Sequence, residues 1–153
     1  MEYVPGGSLS VHMYLKDPLS PWEWIMVLCQ GLQGLQCLHD HAVAHRDIKP
    51  DNMLIEFREK GMISLKWADF GLAKQGLKFA TQCGTWQYAV LEVFAEIISY
   101  DKAADIWSLG VVIIHGKTLG WPEWPATHRA AGLGWCQSIV GFAAKYDTEV
   151  NSR

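Results

Sequence analysis

The sequence predicts a mainly helical α+β fold with short antiparallel β-hairpins. Three features carry that expectation: a capped apolar-periodic segment from Ser20, two alternating apolar runs around Gly61, and a long apolar stretch from Ala103 that lacks alternation. Ser20 suits an N-cap, Pro21 costs nothing at the first helical position because its missing N–H would be unpaired anyway, and Glu23 can close a capping box. Ile25, Leu28, Leu32, Leu35 and Leu38 follow at spacings of three and four, which predicts one buried stripe on a helix running to about His39. Met53-Leu54-Ile55 and the alternation Ile63, Leu65, Trp67 predict two short strands, joined by the charged stretch from Glu56 to Lys60 and a turn at Gly61. The segment from Ala103 to Ile114 is long for a strand and predicts a helix buried nearly all round, with Gly116 marking its end. Pro5-Gly6-Gly7 breaks the opening stretch from Glu2 to Leu9, so that stretch is expected to be an extended connector. Beyond Gly120 the pattern weakens through Trp121-Pro122-Glu123-Trp124-Pro125, until a helix expected near Trp135 to Lys145.

A chain of 153 residues with half of them hydrophobic suits one globular domain. The net charge of −3 gives no electrostatic reason to expect a nucleic-acid partner, and the eight tryptophans are scattered without basic interleaving, so packing is the expected role for most of them. Cys29, Cys37, Cys83 and Cys136 have no metal-ligand spacing, and Met1 opens no signal-like segment, which together fit reduced thiols in an intracellular setting. The longest apolar run, Ile106 to Ile114, is far shorter than the ~20 residues a membrane-spanning helix needs, so no membrane partner is expected. His39, His41 and His45 lack the spacing of a helical two-histidine metal motif and are expected to pack.

The polar cluster His45-Arg46-Asp47-Ile48-Lys49-Pro50-Asp51-Asn52 stands between apolar segments, where unpaired polar groups would be costly. Its order is H-R-D-x-K-x-x-N. Asp69-Phe70-Gly71 follows the second strand, Gly84-Thr85 and Tyr88 precede Glu92, and Asp105-Ile106-Trp107-Ser108-Leu109-Gly110 opens the apolar helix. In this order the motifs resemble the eukaryotic protein kinase family, of the serine/threonine type because Lys49 stands two residues after Asp47, over residues 1 to about 115.

The resemblance implies a kinase-like C-terminal lobe without its N-terminal lobe: a hinge over 1–9, the catalytic lobe over 10–119, and a poorly matched tail over 120–153. It implies ATP and Mg²⁺ as cofactors and a protein bearing a Ser or Thr acceptor as substrate. Asp47 is expected to accept the hydroxyl proton, Lys49 to steady the transferred phosphate, and Asn52 with Asp69 to hold metal. The backbone of Glu2 and Val4 is expected to meet adenine, with Leu54 as the floor beneath it. His45 and Phe70 are expected to stack, Asp105 to brace the catalytic-loop backbone, and Thr85 to bond Asp47 and Lys49. Arg46, helped by Lys74, is the expected receptor for a phosphate placed on Thr81 by an upstream kinase. Two departures stand against the family pattern. No glycine-rich loop or phosphate-pairing lysine matches ahead of Glu2, so little phosphotransfer is expected of this chain alone. Val90-Leu91-Glu92 replaces Ala-Pro-Glu, and Glu92 finds no arginine in a matching context. The rival reading is a non-catalytic kinase-like module that docks substrates or a kinase partner through the loop from Gly84 to Glu92 and the later helices.

Overall fold

The computed structural model describes residues 3–15, 17–79, 83–94, 101–118 and 129–151. Its elements run α1 (Leu9–Met13), α2 (Pro21–Asp40), β1 (Val43–Ala44), β2 (Met53–Glu59), β3 (Met62–Trp67), β4 (Lys74–Gln75), α3 (Leu91–Phe94), α4 (Ala103–Thr118) and α5 (Arg129–Asn151). Helices thus dominate, with two two-stranded antiparallel sheets, β1–β4 and β2–β3.

α2 begins where its sequence says it should. The Ser20 hydroxyl accepts from the Glu23 N–H at 3.2 Å and the Glu23 carboxylate accepts from the Ser20 N–H at 2.7 Å, closing the capping box. The buried face differs from the expected stripe: Trp24, Val27, Gly31 and Leu35 face the core, whereas Ile25 and Leu32 are exposed. Packing against α4 makes that choice. A methyl group on Gly31 would sit 3.0 Å from Leu109, and one on Gly116 would overlap the ring of Trp24. Gly116 therefore lies inside α4, as a close-packing point rather than the stop its type suggested, and the helix continues to Thr118.

The hairpin turns at Lys60 and Gly61, both with positive φ (52° and 77°), the signature of a two-residue turn that matches strand twist. β2 is longer than expected, because Phe57, Arg58 and Glu59 pair with Ser64, Ile63 and Met62 after an irregularity between Ile55 and Phe57. Charge at this end is absorbed locally: Lys66 meets Glu56 at 2.9 Å, and Arg58 reaches back to Glu23 at 2.6 Å. Gln30 of α2 docks on β3 as a strand neighbour would, donating to the Ile63 carbonyl at 2.8 Å and accepting from the Leu65 N–H at 3.0 Å. The opening segment is pinned by a bridge from Ser8 to Leu54 and by Ile55 N–H donating to the Gly7 carbonyl at 2.7 Å. The tryptophans divide. Trp24 and Trp135 are core, while Trp22 and Trp86 are exposed, and Trp121 and Trp124 lie outside the described residues. No described helix is long and apolar enough to cross a membrane.

Candidate active site

Residues 45–52 link β1 to β2, and the backbone at the start of this loop is held from below by one buried carboxylate. Asp105, 1% exposed in the first turn of α4, accepts from the His45 N–H and the Arg46 N–H at 2.9 Å each and from His39 Nε2 at 2.9 Å. Arg46, so gripped, sits at φ 72°, a left-handed conformation uncommon for residues other than glycine. The His45 ring tilts over Phe70, 5.0 Å between centroids, and bonds the Ala68 carbonyl at 3.0 Å, which requires its proton on Nε2. His41 bonds the Cys37 carbonyl, so each of the three histidines has a structural partner, and the described residues hold no group of three metal-ligating side chains.

On this frame Asp47 is 8% exposed and both its oxygens are engaged. Oδ1 accepts from the Thr85 hydroxyl at 2.9 Å, and Oδ2 accepts from Lys49 Nζ at 2.9 Å and Asn52 Nδ2 at 3.0 Å. Lys49 also donates to Thr85 Oγ1 at 3.1 Å, and Asn52 Nδ2 to the Asp47 carbonyl at 2.8 Å. Burial pushes the Asp47 carboxyl upward, but Lys49, Thr85 and Asn52 together outweigh it and leave the group below the ordinary carboxylate range. It is a fixed anion at neutral pH.

Asn52 and Asp69 flank the paired ends of the hairpin: Met53 pairs with Trp67, and the Ala68 N–H donates to the Asn52 carbonyl at 3.0 Å. Asp69 is exposed and left-handed (φ 57°), and its Oδ1 accepts from the Gly71 N–H at 3.2 Å. The Asn52 side-chain carbonyl and the Asp69 carboxylate are hard oxygens, a type that could hold Mg²⁺ rather than a soft metal. Gly84 (φ 96°) lets the chain pass the 45–52 loop, since a side-chain carbon there would come within 2.5 Å of the Arg46 carbonyl.

The sequence motif of the Protein kinase domain matches residues 1–131. The chain belongs to that family. Among its relatives, Serine/threonine-protein kinase N2 of Danio rerio is 40% identical over 117 residues, 74% of this chain and 11% of that protein. Serine/threonine-protein kinase DCLK3 of Mus musculus is 39% identical over 134 residues (84% of this chain, 16% of that protein). Mitogen-activated protein kinase kinase kinase 5 of Homo sapiens is 44% identical over 126 residues (77% and 9%). The chain thus spans only a small part of the length of these relatives.

Of the expected hinge residues, Val4 and Leu54 are half-buried, Leu54 being bridged to Ser8, and Glu2 lies outside the described residues, as does Thr81. Arg46 faces the segment before Gly84: Nη2 donates to Cys83 Sγ at 2.7 Å, and the guanidinium lies 5.3 Å from the centre of the Phe79 ring. Lys74 sits in β4 opposite Ala44. Glu92 Oε2 is buried with no hydrogen-bond partner among the described residues, as its mismatched context foretold. Sequence reading missed the contacts that tie the segment after Thr85 to the core. Ser108 donates to the Tyr88 carbonyl (2.7 Å), Trp135 to that of Gln87 (2.9 Å) and Trp107 to that of Ala89 (3.1 Å). It also missed a tyrosine–histidine–tyrosine bridge through His115. No local pattern announces pairs so far apart in the chain.

Proposed function

We propose that this chain carries the phosphotransfer half of a serine/threonine protein kinase, moving the γ-phosphate of ATP onto a protein hydroxyl. The observation that carries the reading is the closed set around Asp47, in which Lys49, Thr85 and Asn52 fix a buried carboxylate at the loop beside Asp69. Phosphoryl transfer asks mainly for positioning and charge stabilisation. Asp47 orients the acceptor hydroxyl and takes its proton as the new P–O bond forms and the bond from the γ-phosphorus to the departing ADP breaks; held acidic by its partners, it serves as an orienting anion more than as a strong base. Lys49, already bonded to Asp47 and Thr85, supplies the cation nearest the transferred group. Asn52 and Asp69 would hold Mg²⁺, which when bound neutralises the charge spreading over the phosphates. Val4 and Leu54 would take the adenine, with Glu2 completing the backbone contacts. Arg46, with Lys74, is suited to receive a phosphate on Thr81.

Mg²⁺-dependent binding of ATP to this chain, followed by tryptophan fluorescence, tests the reading. Binding that needs Mg²⁺ and disappears in Asp69→Ala supports it. Magnesium-independent binding that is indifferent to Asp69 speaks for the non-catalytic module instead.

A further inference from the structure

His115, in the last turn of α4, is the midpoint of a bridge that the phosphotransfer set does not use. Its Nε2 lies 3.2 Å from the hydroxyl of Tyr14, just past α1, and its Nδ1 lies 3.1 Å from the hydroxyl of Tyr88. Both rings also contact the imidazole, with centroids 6.4 and 6.2 Å away. Tyr88 ends the helical turn Trp86–Tyr88, and its N–H donates to the Thr85 carbonyl at 3.0 Å. One residue chain therefore runs from α4 through Tyr88 to Thr85, the hydroxyl shared by Asp47 and Lys49.

The two tyrosines differ in their surroundings. Tyr88 is 6% exposed and its hydroxyl meets His115 Nδ1, whereas Tyr14 is exposed to water. A neutral imidazole serves both: Nδ1 accepts from the buried Tyr88, and Nε2–H donates to Tyr14. Protonated, the ring donates from both nitrogens and Tyr88 loses its acceptor. Burial favours the neutral ring, pushing it below its ordinary value of 6.5. The titratable groups facing the bridge include Tyr14, Tyr88 and Asp51. Asp51 borders the same cavity of about 310 Å³ as Tyr14, Tyr88 and His115, and its charge, after burial, helps keep the Tyr88 phenol protonated.

We propose that His115 is a positioning residue for the acceptor side of the site: its neutral imidazole, held between Tyr14 and Tyr88, fixes the turn that presents Thr85 to Asp47 and Lys49, and protonation releases that turn. What the turn is for rests on the phosphotransfer reading; the latch itself rests on geometry and can fail separately.

The test is amide hydrogen exchange of Thr85 to Ala89 in the full chain, as protection factors from pH 7.5 to 5.5, alongside the NMR titration of the His115 ring. Protection at Tyr88 and Ala89 is expected to fall about tenfold as the ring protonates, the factor that matches one buried donor left unpaired. His115→Gln keeps one donor and one acceptor, so it is expected to hold protection at every pH. Tyr14→Phe, a change at an exposed position that leaves the fold intact, is expected to spare Tyr88. Protection that ignores the His115 midpoint, or a pH step that persists in His115→Gln, overturns the proposal. Neither result bears on Mg²⁺-dependent nucleotide binding.

Discussion

Replacing Asp105 by asparagine isolates the brace under the 45–52 loop. The carboxylate accepts three hydrogen bonds of 2.9 Å: Arg46 N–H on Oδ1, and His45 N–H and His39 on Oδ2. Asparagine offers one oxygen and one NH₂ group. If the oxygen keeps His45 and His39, the NH₂ confronts the Arg46 N–H, donor against donor, at a residue already held left-handed. Losing a hydrogen bond to a charged acceptor costs about 1.5–3 kcal/mol, and the two remaining bonds weaken to neutral ones, so about 3 kcal/mol is the expected total. In a chain of this size each kcal/mol moves Tm by about 2–4 °C, which predicts a fall of roughly 6–12 °C by circular dichroism. Amide exchange at Arg46 is expected to accelerate with it. Asp101→Asn is the control. Asp101 caps α4 through the Ala103 N–H at 2.8 Å, a task asparagine performs equally well, so Tm should hold. A shift below about 2 °C in Asp105→Asn, with Arg46 exchange unchanged, would refute the argument that this carboxylate carries the loop.

Arg58→Leu strands the buried Glu23 carboxylate and is expected to cost about 3 kcal/mol in urea unfolding. Its pH dependence has a definite sign: Arg58 above all, with Ser20 adding to it against the opposing effect of burial, lowers Glu23 from 4.5 to about 2. The wild type therefore keeps this stabilisation above pH 4.5 and loses it as pH falls toward 2, an acid limb that the variant should lack. Thr85→Val removes one donor to Asp47 and one acceptor for Lys49; the Asp47 carboxyl is expected to titrate at higher pH by NMR, with about 1–2 kcal/mol lost in unfolding. Gly116→Ala drives a methyl into the Trp24 ring and is expected to cost about 1–3 kcal/mol and to shift tryptophan emission, whereas Gly110→Ala, facing open space in the same helix, is expected to stabilise.

How far the sequence carried depended on the range of the interaction. The capping box at Ser20 and Glu23 was legible to the individual hydrogen bond because both partners lie within one turn. The motif order at Asp47, Asn52, Asp69 and Asp105 announced a braced polar loop, and the brace is there. The face of α2 was misread because the helix is apolar on two sides. Ile25 and Leu32 compete with Trp24, Val27 and Leu35 in any periodicity, and only the closeness of Leu109 and Gly116 decides between them. Gly116 looked like a terminus for the same reason: a glycine needed for contact and one needed for a helix end are spelled alike. β1 and β4, two residues each, are too short for any alternation to register. The pairs Glu23–Arg58 and His115–Tyr14 join residues that only the completed fold brings together.

Asp47, Lys49, Asn52 and Asp69 are proposed to form one site for a metal-bound triphosphate. Mn²⁺ in place of Mg²⁺, added with a non-hydrolysable ATP analogue to isotope-labelled protein, tests it directly through paramagnetic broadening of assigned resonances. The account predicts that the Asn52 side-chain amide and the backbone amides of Asp69 and Phe70 broaden first, and that Asp69→Ala abolishes the effect. Broadening centred instead on another acidic region, such as Glu92 and Asp101, with Asn52 and Asp69 left sharp, would contradict it.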